Sequence, residues 1–399
     1  MLRPRRFVRP ALIASAVLAL GACAAPGGGS AGDEGSSSGG KDSASLDTAA
    51  YKKENAERTA TFEGDPGKPY LQHLPGAQVS GTKYKRTSPG KVCFSNASLS
   101  NTWRQTGWIT MYQQYLQLKS QGVVSDLEMR DAQDDENTQV ADIDFLIKEG
   151  GCDGYIIAPA TVEATKSAIE RACKTGKPVI VFDRGTTAPC ITSFVHSVGG
   201  YAWGIDSAKF LASKLKSGDH VVALRTAPGV DVFEQRWAAA QKVFHDAGIK
   251  VTDHITGADP AKIKSTMADE LASGNVDGVW VDLGDQAVPA IESFQDAGQD
   301  IPPLTGEDNM GYLRAWDKLG FEGFAPVYSA FQWRTALIAV ADLFQGKSIP
   351  KDWVLPQTPI TQAELPKILE TQKDMPDVQS ARFGGEDLPS VSPGRLLRA

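Results

Sequence analysis

Between Lys91 and Lys347 the chain repeats one pattern, a short run of β-branched and aromatic residues followed by a longer stretch of helical periodicity. "KVCFSN" precedes "NTWRQTGWITMYQQYLQLKSQG", "DLEMRDAQ" precedes "NTQVADIDFLIKEGG", and "GYIIAPA" precedes "TVEATKSAIERACKTGK", in which Thr161 is the expected N-cap. "PVIVFDRG" and "SFVHSVGG" follow as further strands. The rhythm then resumes through "HVVALRT", "KVTDHITG", "GVWVDLG", "PPLTGED" and "APVYSAF", each leading into a helical segment. Continuous apolar runs such as "GYIIAPA" suit strands buried on both faces, as parallel strands are. About ten strands alternating with helices make an α/β protein with mostly parallel sheets, and so long a series exceeds one compact sheet. The expectation is two doubly wound, Rossmann-like lobes.

On this pattern residues 91–196 and about 330–346 form a first lobe and 197–329 a second. Residues 51–90 are an N-terminal extension in which "AAYKKENAERTA" has helical character, and 347–399 are hinge-crossing and C-terminal residues. Ahead of them, "MLRPRRF" is basic and "ALIASAVLAL" is apolar. An apolar segment of roughly 7–15 residues after a basic start reads as an export signal, since a membrane span needs about 20. "RRF" adds a weak twin-arginine hint. Small residues then lead into Cys23 in "LGAC", a stretch that resembles the bacterial lipobox and implies a lipoprotein signal over 1–23 with acylation of Cys23. The alternative is an ordinary signal with a cysteine there by chance. Residues 24–50, rich in Gly and Ser, lack the apolar surface needed to offset ordering entropy and read as a flexible tether. The body is thus expected outside the cell membrane, held at its outer face by lipid alone.

Loss of Arg3, Arg5, Arg6 and Arg9 with the signal takes the formal charge from −7 to −11. An acidic body offers no basic face for a nucleic acid. Beyond Cys23 the cysteines are Cys93, Cys152, Cys173 and Cys190, an even set that in an exported chain suggests disulfides, with three possible connectivities. We favour Cys152–Cys173 with Cys93–Cys190, because a strand start and the end of the following helix lie at the same end of a βα unit. Buried free thiols are the alternative. No CxxC or HExxH spacing occurs and the five histidines are scattered, so neither a metal nor another cofactor is expected.

In open α/β sheets ligands bind beyond the carboxyl ends of the strands. The residues there are Asn101, Trp103 and Arg104 after the first strand, Asp183 and Arg184 after "VIVF", and Arg236 in "FEQRW". Asp285 follows "GVWVDL", "EDN" follows "PPLTG", and Gln332 and Trp333 follow the last strand. Arginine presents a rigid fork of five donors and a carboxylate accepts from adjacent hydroxyls, while an indole offers a plate for the C–H face of a sugar ring. The set suits a neutral, polyhydroxylated ligand. Competing structural readings exist: Asp183, Arg184 and Arg236 as a surface ion-pair network, Trp103 and Trp108 as core, and Asp282 as an internal hydrogen-bonding residue.

At these residues the chain resembles the periplasmic sugar-binding proteins of the ribose-binding type, through "FSNASLSNTW", "GYIIAPA", "VIVFDR", "FEQRW", "GVWVDLGDQAVPAIESFQDAG" and "LTGEDN" in that order. The resemblance spans roughly Lys91 to Lys347 and implies a type I periplasmic-binding-protein fold, its lobes joined by a multi-strand hinge. Carried over, the first-loop amide and aromatic fall on Asn101 and Trp103 with Arg104 beside them, the Asp-Arg pair on Asp183 and Arg184, the second-lobe arginine on Arg236 and the late carboxylate on Asp285. Asp269 matches a polar helix residue in looser register, and Gln332 matches the hinge-side glutamine after a small shift, with Ser329 as the alternative. Two positions depart from the pattern: Ala158 stands in place of an amide, and Gly284 in place of an asparagine.

The resemblance implies a hinged clamp that closes over a monosaccharide or polyol and, as a monomer, delivers it to the membrane permease of an ABC importer. Closure excludes water and strengthens the polar contacts. A sensor passing its closed state to a membrane receptor kinase is the alternative partner reading. An exported carbohydrate-active enzyme is a weaker rival, because no acid/nucleophile motif or GxSxG elbow is present. On the sequence alone, Arg236→Ala is expected to abolish binding and leave melting of the empty protein unchanged.

Overall fold

The computed structural model describes residues 46–226 and 228–388; the export signal, Cys23 and most of the tether lie outside them. Asp47 caps helix α1 (Thr48–Glu57) by accepting from the Ala49 and Ala50 amides, so helix begins inside the stretch read as tether. Strand β1 (Gln78–Val79) follows, and then the alternation starts. The first lobe contains β2 (Gly90–Asn96), α2 (Thr102–Ser120), β3 (Val124–Asp131), α3 (Glu136–Lys148), β4 (Gly154–Ala158), α4 (Lys166–Cys173), β5 (Val179–Phe182) and β6 (Ser193–Ser197). The second contains α5 (Gly200–Lys214), β7 (His220–Arg225), α6 (Asp231–Asp246), β8 (Lys250–Ile255), α7 (Pro260–Ser273), β9 (Gly278–Val281), α8 (Ala287–Ala297), β10 (Leu304–Thr305), α9 (Met310–Leu319) and β11 (Gly323–Phe324). The chain then returns through α10 (Gln332–Phe344), β12 (Ile349–Pro350) and β13 (Asp352–Leu355) before α11 (Leu365–Thr371).

Among the described residues the first lobe has a six-stranded sheet, β13-β6-β5-β4-β2-β3, and the second a five-stranded one, β11-β10-β9-β7-β8. Every pairing in both is parallel. The alternation of side chains along each strand divides the core in two. In β2, Val92 and Phe94 join a cluster with α2 and α10, while Cys93 faces Ile143 and Ile169 of α3 and α4. β4 repeats this with Ile156 on one side and Tyr155 and Ile157 on the other. Helices α2 and α10 approach so closely that a Cβ on Gly107 would stand 2.3 Å from the Trp333 ring. Only glycine leaves room there. In the second lobe Trp280 packs against Trp203 and Trp237 and donates its indole N–H to Ser207 at 2.9 Å.

Several expectations need correction. The disulfides are Cys93–Cys152 and Cys173–Cys190. Neighbouring strands β2 and β4 set Cys93 beside the turn entering β4, with Cα atoms 5.6 Å apart from those of Cys152. Helix α4 then carries Cys173 over to the start of β5, where the Thr192 amide donates to the Val179 carbonyl and Cys190 lies just upstream. The helix end therefore meets the entry to β6, not the entry to β4. Thr161 does not cap α4, which begins at Lys166 with Thr165 before it. "APVYSAF" is no strand; it crosses between the sheets with only the Ala325–Ile360 bridge. β13, placed by sequence in the hinge-crossing tail, completes the first-lobe sheet.

The chain passes between lobes at Val198–Gly199, across 325–331 and after β13. The extension spans them as well. Its α1 lies on α5, with Arg58 paired to Asp206 at 2.6 Å. Further on, the Leu74 amide donates to Val354 at 3.2 Å, Gln72 accepts from the Trp353 indole at 3.0 Å, and β1 pairs antiparallel with β12.

Candidate functional site

The predicted residues of the two lobes meet around Tyr328, in the passage between β11 and α10. On the first-lobe side, Asn101 caps α2, its carbonyl oxygen accepting from the Arg104 amide at 2.9 Å. That turn aims Arg104 at Asp183, 3.2 Å away. Arg104 is buried, which lowers its pKa, and the Asp183 carboxylate opposes the shift. Asp183 holds a left-handed backbone conformation (φ 67°), a strain of order 1 kcal/mol or more that persists only where the surroundings impose it. The Tyr328 hydroxyl donates to its second oxygen at 3.3 Å. Arg184, next in sequence, donates to the Ala160 carbonyl at the end of β4. Trp103 donates from its indole to the Tyr328 carbonyl at 2.8 Å and packs on that ring, 5.6 Å between centroids.

On the second-lobe side, Arg236 is 3% exposed, pairs with Glu307 at 3.2 Å and donates to the Asp282 carbonyl at 2.5 Å. Its guanidinium lies over the Trp203 and Tyr328 rings, 4.3 and 5.3 Å from their centroids. Asp285 accepts from Asn309 at 3.3 Å, and the neighbouring Thr102 of the first lobe favours its ionised form. Burial raises its pKa and the nearby Glu307 carboxylate adds to the rise. Beneath them Asp282 is enclosed by the Thr226 amide at 2.8 Å and Gln286 at 2.7 Å, and burial pushes its pKa up to about 6. It is an internal hydrogen-bonding residue. Among the described residues, Arg104 Nη1 and Arg236 Nε have no partner, so each lobe keeps one buried guanidinium donor for another group.

One predicted residue stays apart from this assembly. Asp269 is exposed on α7, whose buried face carries Ile263 and Met267. Gln332 is fully buried in the first turn of α10. Neither its amide oxygen nor its amide nitrogen has a hydrogen-bond partner among the described residues. Glu307 and Asn309, legible in the sequence only as members of "EDN", belong to the site as well. They explain the glycine at 284: a Cβ there would stand 1.9 Å from Asn309 Oδ1 and 2.6 Å from Glu307 Cβ, and the Gly284 amide donates to Glu307 at 3.1 Å. The "EDN" motif had marked these two residues, but only the fold turns them back over Gly284.

Outward of Tyr328 a cavity of about 470 Å³ opens between the lobes. It is lined by Asp183, Arg184 and the β4–α4 loop on one side, by Gly229–Val232 and Gln235 at the start of α6 on the other, and by Ala50, Lys53 and Glu54 of α1. Its size falls within the range of about 300–1,000 Å³ typical of small-molecule sites. Among the described residues no group of three or more His, Cys, Asp and Glu is placed to hold a metal ion.

Comparison with known proteins agrees with this architecture. The model of the periplasmic binding protein domain family matches residues 92–347. The ribose import binding protein of Bacillus subtilis is 27% identical over 248 residues, which cover 61% of this chain and 76% of that protein. Among solved structures, an ABC transporter solute-binding protein from Thermobispora bispora superposes with a TM-score of 0.64 at 23% identity, over 77% of this chain and 94% of that one. The fructose-binding periplasmic domain of a hybrid two-component system gives 0.60 at 19% identity, over 72% and 95%. Two parallel-sheet lobes, the passages between them and the matched region together place the chain in the periplasmic binding protein domain family, with the type I fold, as a binding protein and not an enzyme.

Proposed function

We propose that this protein is an extracytoplasmic receptor that binds a monosaccharide or related polyol between its lobes and hands it to an ABC permease. The observation that carries the reading is the alternation Arg104–Asp183–Tyr328–Arg236–Glu307, which brings fixed donors and acceptors from both lobes to one cleft. Such a set discriminates stereoisomers, because a hydroxyl in the wrong place leaves a buried group unpaired. Its kinship with a ribose import binding protein supports a sugar as the ligand class. No helix among the described residues is long and apolar enough to cross a membrane, and acylated Cys23 would supply the anchor that keeps the receptor near its permease.

The test is a thermal-shift screen of the chain from Ala24 onward against pentoses, hexoses and polyols. A ligand at 100 times its Kd adds about 2.7 kcal/mol and raises the melting temperature. Stabilisation by one stereoisomer is the expected result; no shift with any of them refutes the sugar reading. The likeness to the periplasmic domain of a hybrid two-component system favours one second reading, transfer of the closed state to a membrane sensor. Crosslinking of the ligand-saturated protein in its own membranes separates the two by the partner captured.

A further inference from the structure

We propose that the cavity takes a sugar bearing an apolar aglycone, that is, a glycoside, in preference to a free monosaccharide. The inference deepens the sugar reading and rests on it. In the inner cleft the expected sugar-holding groups already engage one another: Asp183 accepts from Arg104 and Tyr328, and Arg236 is held by Glu307 and the Asp282 carbonyl. The space that remains lies outward of Tyr328, and its walls are of two kinds. Asp183, Arg184 and Gln235 offer the acceptors and donors a sugar ring needs. Apolar side chains also come from both lobes, Val162 and Phe194 from the first, Val230 and Val232 from the second, with Ala50 of α1; Lys53, Glu54, Thr161, His196, Ser197 and Asp231 line the cavity as well.

These four larger apolar side chains are only partly buried, although they line one cavity. An apolar group seated between them removes area from water on both lobes at once, which favours the closed state in proportion to that area. Volume points the same way. About 470 Å³ corresponds to roughly fifteen waters at ~30 Å³ each, more than the about twelve non-hydrogen atoms of a hexose fill. The α1 wall lies outside residues 92–347, so part of this surface belongs to the extension and not to the matched family region.

The experiment compares ribose, xylose, galactose and glucose with their methyl and phenyl glycosides by isothermal titration on the chain from Ala24 onward. The expected result is a phenyl glycoside that binds at least about tenfold tighter than its parent sugar, with the ratio falling below about threefold in Val162→Asp and in Val232→Asp. Parent sugars that bind as tightly as every glycoside overturn this inference and leave the sugar reading standing. A preference for the glycoside that survives both substitutions overturns the placement of the aglycone. If neither sugars nor glycosides bind, the inference falls together with the reading it rests on.

Discussion

Glu54 offers a sharp test of how the extension is joined to the hinge. Its carboxylate accepts from the Ala202 amide at 3.0 Å, over the start of α5. Gly199, in the passage between the lobes, holds φ at 147° and has no room for a side chain, since a Cβ would stand 2.3 Å from the Glu54 carboxyl carbon. Glu54 is 9% exposed, and burial pushes its pKa from 4.5 up to about 7. The Ala202 and Tyr201 amides, His196 and Lys53 all pull the other way without offsetting the burial. The folded state therefore binds more protons than the unfolded one between these values. The protonated carboxyl's full contribution is present below about pH 4.5 and is lost as pH rises through about 7. At 1.36 kcal/mol per pKa unit the ionised form costs about 3 kcal/mol, as an upper figure.

Glu54→Gln keeps the acceptor for Ala202 and removes the charge. It should match the wild type near pH 5 and exceed it by as much as about 3 kcal/mol near pH 8 in urea unfolding. Asp282 and Asp308 are also buried with raised pKa values, of about 6 and about 7, and both remain in each protein. Subtracting the two pH profiles therefore isolates Glu54. A difference that is the same at both pH values refutes the argument that burial of this carboxylate opposes its ionisation.

Two further outcomes follow from the buried network and the disulfides. Arg236→Ala should abolish ligand binding and also destabilise the empty protein by about 3 kcal/mol or more, because Glu307 is left buried and unpaired. This reverses the sequence-based expectation of unchanged melting; a melting temperature that does not move would restore it. Serine replacement of Cys93 and Cys152, which close a separation of 59 residues, should cost about 4 kcal/mol, against about 3 for the 17-residue separation of Cys173 and Cys190. Peptide mapping of the oxidised protein checks the pairing, and the reverse order of stabilities contradicts the loop-closure account.

Much of the fold was legible because parallel strands are apolar on both faces. "GYIIAPA", "VIVF" and "GVWV" announce themselves as sheet interior, and all three are. What was lost depends on contacts distant in sequence. The expected Cys152–Cys173 bridge stays within one βα unit, whereas Cys93 reaches Cys152 only through lateral pairing of β2 with β4. "APVYSAF" has strand composition because the passage is buried between lobes, yet no sheet edge receives it. Tyr328, which links Asp183 to Arg236, was hidden inside that misread segment. Asp269 failed for a simpler reason, since helical register alone decides whether a carboxylate faces the cleft or the solvent, and α7 turns Asp269 outward.

The segments outside the matched region bear directly on how such a clamp opens. α1 is fixed to the second lobe through Glu54 and the Arg58–Asp206 pair, whereas residues 70–79 are fixed to the first lobe through α10, β12 and β13. The C-terminal residues do the same in the same order. α11 lies on α9 and the Arg382 amide donates to Asp308 in the second lobe, while Asp387 pairs with Arg334 of α10 at 2.6 Å. The two straps join at one point: the Arg334 guanidinium lies over the Tyr70 ring, 3.5 Å from its centroid, and the Tyr70 hydroxyl donates to Asp387 at 2.7 Å. Arg334 is 2% exposed and is also held by Gln114 at 2.8 Å, so the joint is anchored to the first lobe on several sides. Separation of the lobes must therefore be taken up in residues 59–69 and in the short stretch between Arg382 and Gly384, or else break the Arg334–Asp387 pair and leave the buried Arg334 charge without it. A clamp hinged at its passages alone meets no such limit.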